Sequence, residues 1–401
     1  MLLRASMTLL AGGVLAQALP LLLGPLLTRL YSPAQFGTYF LLAAVAANVG
    51  VVACARYEFA LPKARDDAEA LSLGALSRWI LAAVTALAAV GGAAWAVAQQ
   101  ALWPLWLPLL AGALGWLSLG TLSAQRDQRF NALAAARVLQ HGGGAALQAA
   151  AGLAGAGLTG LIAGPLAAAL AAGMLLRTRA ARWWRVPRMQ LRAVAWQHRD
   201  FPFLNTPHAF LGALQDTLAV ALVAVWQGPA EAGLWGLALR YLKAPATLVG
   251  GAVSQALYPA LAQEAVVTVE ARRAVRQLMG VLSLVALPLV LAIGFGGPWA
   301  FEAAFGAPWR GAGELASALA LYIGLHFVAS PLSVVPMAWH AQAWALRLAL
   351  VGQAMFLAAL AGGLAWGGLV GAGWAVSLAM LVYFGWFFLQ LASWPLAPKA
   401  A

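Results

Sequence analysis

The sequence predicts an all-α polytopic membrane protein, with about twelve transmembrane helices in two six-helix bundles related by a parallel pseudo-twofold. Three observations carry this prediction. Of 401 residues, 63% are hydrophobic and only 9% charged, a balance that soluble domains do not have. Apolar runs of near-spanning length recur along the whole chain. The basic residues gather in the short connections between those runs.

The twelve segments run approximately over 6–27, 37–55, 73–97, 103–122, 133–152, 157–176, 203–226, 232–258, 278–297, 313–337, 346–366 and 369–392. The first is read as a span and not a signal peptide, because its apolar run is long and no A-x-A-type cleavage site ends it. An even number of spans puts both termini on one side. With the N-terminus cytoplasmic, the inner connections collect Arg56, Lys63 and Arg65, then Arg126, Arg129 and Arg137, then the arginines of 177–202. Arg272, Arg273, Arg276, Arg347 and Lys399 complete that side, and the opposite side keeps Arg29 and Arg310. The asymmetry predicts cytoplasmic termini and accounts for the net charge of +12 without nucleic acid as a partner. Tryptophans such as Trp103, Trp106, Trp183, Trp184 and Trp394 fall near segment ends, as an interfacial belt does.

Residues 177–202 form the longest polar connection. They separate an N-terminal bundle, 1–176, from a C-terminal bundle, 203–401. The connection is too short for a catalytic domain and is expected on the anionic inner leaflet. The halves echo each other: SPAQFGTYF and GPAEAGLWG align Pro33 with Pro229, Ala34 with Ala230, Gly37 with Gly233 and Tyr39 with Trp235. Both copies follow the first span of their half, which makes the repeat parallel.

The most informative stretch is GLWGLALRYLKAPATLVGGAVSQALYP, Gly233 to Pro259, with Arg240 and Lys243 near its middle. A charge at the centre of a spanning helix costs at least about 2.5–3.5 kcal/mol, so two on one helix do not face lipid. Spacing i, i+3 gives them a common face, which Thr247, Gly251 and Ser254 continue. This face reads as the wall of a water-filled cavity with positive charge at mid-depth. The alternative is a structural ion pair with Asp216 of the preceding span, although one carboxylate cannot neutralise both cations. The positions matching the pair in the first half are Ala44 and Ala47.

Asp216 is also a candidate for a site that protonates or binds a coupling cation. Arg56 and Glu58 close the second span, either gating the entrance or pairing with each other at the interface. Arg29 ends the first span, where it receives a departing anion or snorkels to the headgroups. Pro20 and Pro25 are expected to break the first span's hydrogen-bond ladder and bend it. Gly363, Gly367 and Gly371 read as a helix-packing seam. Cys54 is the one cysteine, so no intramolecular disulfide forms. The five histidines show no ligand spacing, so no metal site is expected. The GAGLTG run at 155–160 joins two spans and follows no strand. No catalytic constellation emerges, and a transporter is expected, not an enzyme.

The run LLTRLYSPAQFGTYF, then ARYEFALPKARDDAEAL, resembles the opening of the bacterial polysaccharide biosynthesis flippases of the Wzx type. DFPFLNTPHAFLGALQDTLAV and AGLWGLALRYLKAPATLVGGAVSQALYPAL resemble the start of their second half. That family lies in the multidrug/oligosaccharidyl-lipid/polysaccharide exporter superfamily, whose MATE-like layout fits the twelve spans. The resemblance implies an inner-membrane protein that carries undecaprenyl-pyrophosphate-linked oligosaccharide from the cytoplasmic to the periplasmic leaflet. It also implies a cationic cavity, alternating access and coupling to H⁺ or Na⁺ with no organic cofactor. Membrane lipids, a polysaccharide polymerase and a chain-length regulator are the partners it suggests. Arg240, Lys243, Thr247, Arg29 and Arg56 are then the candidate substrate-binding residues, and Asp216 and Glu58 the coupling-ion candidates. Two alternatives are a cation-coupled multidrug antiporter, which would favour carboxylates and aromatics in its cavity, and a membrane polysaccharide polymerase or ligase, which would need a large outside loop.

Overall fold

The computed structural model describes residues 2–177, 183–262 and 267–395, with side chains from residue 12 onward. Arg179, Arg182 and Lys399 of the basic connections lie outside the described residues. Helices α1 (Leu2–Leu30), α2 (Pro33–Val52), α3 (Asp67–Gln99), α4 (Leu107–Arg126), α5 (Phe130–Val138), α6 (Gly144–Leu153) and α7 (Gly157–Leu176) come first. Then follow α8 (Arg188–Gln197), α9 (Thr206–Trp226), α10 (Pro229–Ala262), α11 (Val269–Phe305), α12 (Arg310–Leu332), the single turn α13 (Val335–Ala338) and α14 (Gln342–Ala392). No strand occurs among the described residues.

Local chemistry explains the helix starts. Ser32 caps α2 with a reciprocal pair: Gln35 N–H donates to Ser32 Oγ at 3.3 Å, and Ser32 N–H donates to Gln35 Oε1 at 2.9 Å. Pro33 fills the first turn, where its missing N–H costs nothing. Pro229 opens α10 in the same way. Asp66 caps α3 through Glu69 N–H at 2.7 Å, and Thr268 caps α11 through Ala271 N–H at 3.1 Å. Pro20 and Pro25, expected to break the first span, lie inside a helix that runs uninterrupted from Leu2 to Leu30. Near its end the Thr28 hydroxyl donates to the Pro25 carbonyl at 3.1 Å.

Among the described residues, nine helices are long and apolar enough to cross a membrane. Three further crossings complete the expected twelve. One is the run through α5 and α6, joined by a π-helical turn at Leu139–Gly143. Another is α10, which carries the basic pair. The third comes from α14, whose 51 residues would reach about 77 Å if straight, far beyond a core of about 30 Å. Its backbone leaves helical geometry at Gly367 and Gly368, the latter at φ +61°. The chain doubles back there, for a Cβ on Gly363 would come within 2.5 Å of Ala372 Cα and 2.7 Å of the Gly371 carbonyl. The expected GxxxG seam is therefore corrected. Gly363 and Gly371 pack against each other across a hairpin, while Gly367 belongs to the turn with open space around it.

The chain forms two compact units, Met1–Ala221 and Leu222–Ala401. In the first, Leu42 and Ala46 of α2, Leu110, Ala113 and Leu117 of α4, and Ile162, Leu166 and Ala169 of α7 share one core. Small residues permit this closeness, as they do where lipid provides no hydrophobic drive. Gly115 faces Ala53 so tightly that an added Cβ would stand 2.7 Å from the alanine's. In the second unit α12 is central, packing on α10, α11 and α14.

The described part of the basic connection from Trp183 onward is anchored on the first unit. Its helix α8 lies along α3, with Gln197 Nε2 donating to Glu69 Oε1 at 2.8 Å and His198 Nε2 at the same distance from that oxygen. Tyr57 Oη donates to the Ala195 carbonyl at 3.1 Å. Glu69→Ala is expected to cost about 1–2 kcal/mol of this docking. Faster amide exchange across 188–197 than in the wild type would show it, and unchanged exchange would refute it.

Candidate functional site

The charged face of α10 is built on its packing against α12. Trp235, Leu239, Leu242, Ala246 and Gly250 form the buried side of α10. Ser330 of α12 presses on Gly250 and donates its hydroxyl to the Ala246 carbonyl at 3.4 Å. Arg240 and Lys243 stand half-buried on the flank of that side, and Thr247 is exposed one turn further on. Thr247 Oγ1 donates to the Lys243 carbonyl at 2.9 Å. Gly251 is exposed, with open space where a side chain would be. Ser254 departs from the expected stripe, because its hydroxyl donates to the Pro331 carbonyl at 3.2 Å and so serves packing. The polar face is therefore Arg240, Lys243, Thr247 and Gly251. Arg240 lies eleven residues into α10, about 17 Å along it, which is mid-core for a helix beginning near one membrane surface.

In the first unit Arg56 and Glu58 occupy one tight turn, with Arg56 at φ +61°. Of the two readings, gating the entrance or pairing with each other, direct pairing is not seen. Among the described residues no carboxylate is in ion-pair contact with Arg56; its guanidinium instead lies 3.8 Å above the Phe59 ring. Glu58 is 1% exposed and receives one weak contact, from Ser118 Oγ at 3.4 Å, while its Oε2 has no hydrogen-bond partner. Burial pushes the Glu58 carboxyl above the usual carboxylate range, opposed by its own main-chain N–H, by Arg56 and by Ser118. Among the described residues the buried carboxylate is Glu58, whereas Asp216 is exposed on α9.

The sign of the resulting pH effect follows directly. The folded chain holds this proton at pH values where the unfolded chain has released it. Stability therefore falls as pH rises from the ordinary glutamate value through the raised one. Glu58→Gln should flatten this slope and unfold no earlier than wild type at the alkaline end. Thermal melts in detergent at about pH 5 and about pH 8 test it, and an unaltered slope would refute the assignment.

Arg29 ends α1 and is exposed. It stands at the opposite end of α2 from Arg56, about 30 Å away along that 20-residue helix.

A second polar feature was not legible as a site. A pocket of about 300 Å³ between α1, α4 and α5 is lined by Gln17, Thr121, Arg137, Gln140 and His141, with Gly13 and Ala16 at its wall. The π-helical turn at Leu139–Gly143 gives the helix one residue more per turn and brings Gln140 and His141 to the pocket. Gly142 allows this turn to seat against α1, since a Cβ there would come 2.5 Å from Leu19 Cδ1. Arg137, counted in sequence as a loop charge, lies seven residues into α5, about 11 Å from its start.

The fold has solved counterparts. A multidrug resistance MATE family transporter of the MOP superfamily, in an inward-facing conformation, aligns with a TM-score of 0.69 at 14% identity, covering 94% of this chain and 95% of that one. The lipid II flippase MurJ, in an inward closed conformation, aligns with a TM-score of 0.68 at 12% identity, covering 97% and 90%. No curated protein matches the sequence. A family model described as polysaccharide biosynthesis protein matches residues 26–314. The chain belongs to the polysaccharide biosynthesis protein family. This match runs from the last turn of α1 into α12, so it contains Arg29, Arg56, Glu58, Asp216 and the whole polar face of α10. As a member of that family with a MATE-type fold, the chain is a multi-pass membrane protein. The glycine run at 142–144 was the one sequence signal of the irregular turn, and periodicity alone passes over it.

Proposed function

We propose that this polysaccharide biosynthesis protein is a flippase. It moves an undecaprenyl-pyrophosphate-linked oligosaccharide from the cytoplasmic to the periplasmic leaflet of a bacterial inner membrane by alternating access. The observation that carries this reading is the basic pair, Arg240 and Lys243, at mid-depth on α10 in a chain of this family. A pyrophosphate cannot enter hydrocarbon unpaired, and an arginine beside a lysine supplies the charge-assisted donors it needs. Thr247 adds a hydroxyl to the same face, and the prenyl chain stays in lipid throughout.

In the first unit, Gln17, Thr121 and Gln140 are neutral donors and acceptors of the kind that hold sugar hydroxyls, with Arg137 beside them for acidic sugars. Arg29 and Arg56, on opposite surfaces, are assigned to release and entry of the headgroup. H⁺ or Na⁺ supplies the drive, with Glu58 and Asp216 as the groups that take up the ion. The basic loops support a cytoplasmic position for both termini. A polymerase and a chain-length regulator working on O-antigen, capsule or exopolysaccharide would take the product.

The test is complementation of a flippase-deleted bacterium that carries a matched glycan pathway. Restored surface polysaccharide supports the proposal. Drug resistance without polysaccharide would replace it with a multidrug antiporter.

A further inference from the structure

A further cavity lies neither on α10 nor at the π-helical turn. It is a groove of about 1480 Å³ on the first unit, between α3, α4 and α7. Its volume exceeds the roughly 300–1,000 Å³ of an ordinary small-molecule site. Along α4 it runs from Ser123 to Pro108, fifteen residues or about 22 Å. That is about half of a bilayer measured with its headgroups, so the groove has the length of one leaflet.

The two ends differ in chemistry. At the end near the basic connections stand Arg78 and Arg177 with Trp183 and Trp184; the Arg78 guanidinium carbon is 5.8 Å from the Trp183 ring centroid. Among the described residues no carboxylate is in ion-pair contact with either arginine, and none lines the groove. Trp79 packs edge-on against Trp183 at 5.7 Å, and Trp183 against Trp184 at 5.9 Å, a cluster of the type found at headgroup level. Away from this end the walls are apolar apart from Thr85, and include Ala82, Ala86 and Leu109. Leu109 and Met174 on the rim are 54% and 67% exposed, as side chains facing lipid are.

We propose that this groove seats an anionic phospholipid, its phosphate held between Arg78 and Arg177 and its acyl chains lying along Ala82, Ala86 and Leu109. Two cations with no carboxylate in the groove beside them select a negative headgroup over a zwitterionic one. The apolar length orders the chains of a lipid already in the leaflet. This site is separate from the polar face of α10, and it stands or falls independently of the transport reading.

The experiment is native mass spectrometry of the full-length protein in detergent, titrated with phosphatidylglycerol and, separately, with phosphatidylcholine. Phosphatidylglycerol is expected to be retained and phosphatidylcholine to be lost. The double variant R78Q/R177Q should weaken phosphatidylglycerol binding roughly 30-fold. Ala82→Trp, which fills the groove and leaves both arginines in place, should weaken it comparably and decides the matter alone if the double variant does not fold. Equal retention of both lipids, or unchanged phosphatidylglycerol binding in Ala82→Trp, would overturn the proposal. Displacement of phosphatidylglycerol by an equal concentration of undecaprenyl phosphate would overturn it too, by giving the groove to the carrier lipid.

Discussion

Arg240→Ala and Lys243→Ala, each expressed to the wild-type level, are expected to lower surface polysaccharide about 10–100-fold in the complemented strain, and the double variant to abolish it. The estimate follows from losing a charge-assisted hydrogen bond to a phosphate in a low-dielectric setting, worth about 1.5–3 kcal/mol. Arg240→Lys should recover part of the activity, because it keeps the charge and loses the planar fork. Stability separates binding from architecture. Removing a mid-membrane charge relieves an insertion cost, so a cavity-lining residue leaves melting unchanged or raised. A residue that serves only a structural ion pair would lower both melting and expression when removed. Full polysaccharide from both alanine variants would remove the pair from the site.

The second large effect is structural. In Gly313→Leu the second unit is expected to lose its α11–α12 packing and the protein to melt at least about 3 kcal/mol more easily, at the upper end of overpacking costs. The reason is backbone against backbone. A Cβ on Gly313 would stand 2.6 Å from Pro298 Cα, and one on Gly297 would stand 2.6 Å from the Gly313 carbonyl. Main chain on both sides cannot step aside as a flexible side chain does. Gly296, one residue from Gly297, has open space around its Cβ direction and serves as the control: Gly296→Leu should be tolerated. Equal melting of Gly313→Leu and wild type would show that the helices separate at no cost.

Apolar length made the crossings legible, and even the break inside α14 fell where the sequence left 367–368 between two segments. The basic pair was legible because charge inside an apolar run is rare. Ser254 was misassigned because spacing gives a face but not what that face meets; only the Pro331 carbonyl of α12 shows that it serves packing. Glu58 looked like an interfacial acid since it stands two residues from an arginine. The left-handed turn at Arg56 sends that guanidinium onto Phe59 and leaves the carboxylate inside. Gln140 and His141 escaped because a π-helical turn breaks the 3.6-residue period on which face assignments rest.

The hairpin of α14 bears on how the protein is made. Arg347 is the one charged residue in its 51 positions, and the reversal at Gly367 and Gly368 offers no polar loop to pull across. Its tip is tied to the start of the second unit, Gln227 Nε2 donating to the Leu364 carbonyl at 3.3 Å. The last two crossings are therefore expected to enter the bilayer together, as one hairpin, and to dock on the connection that bears Gln227. Arg347, at the base of the hairpin, is the charge expected to orient it.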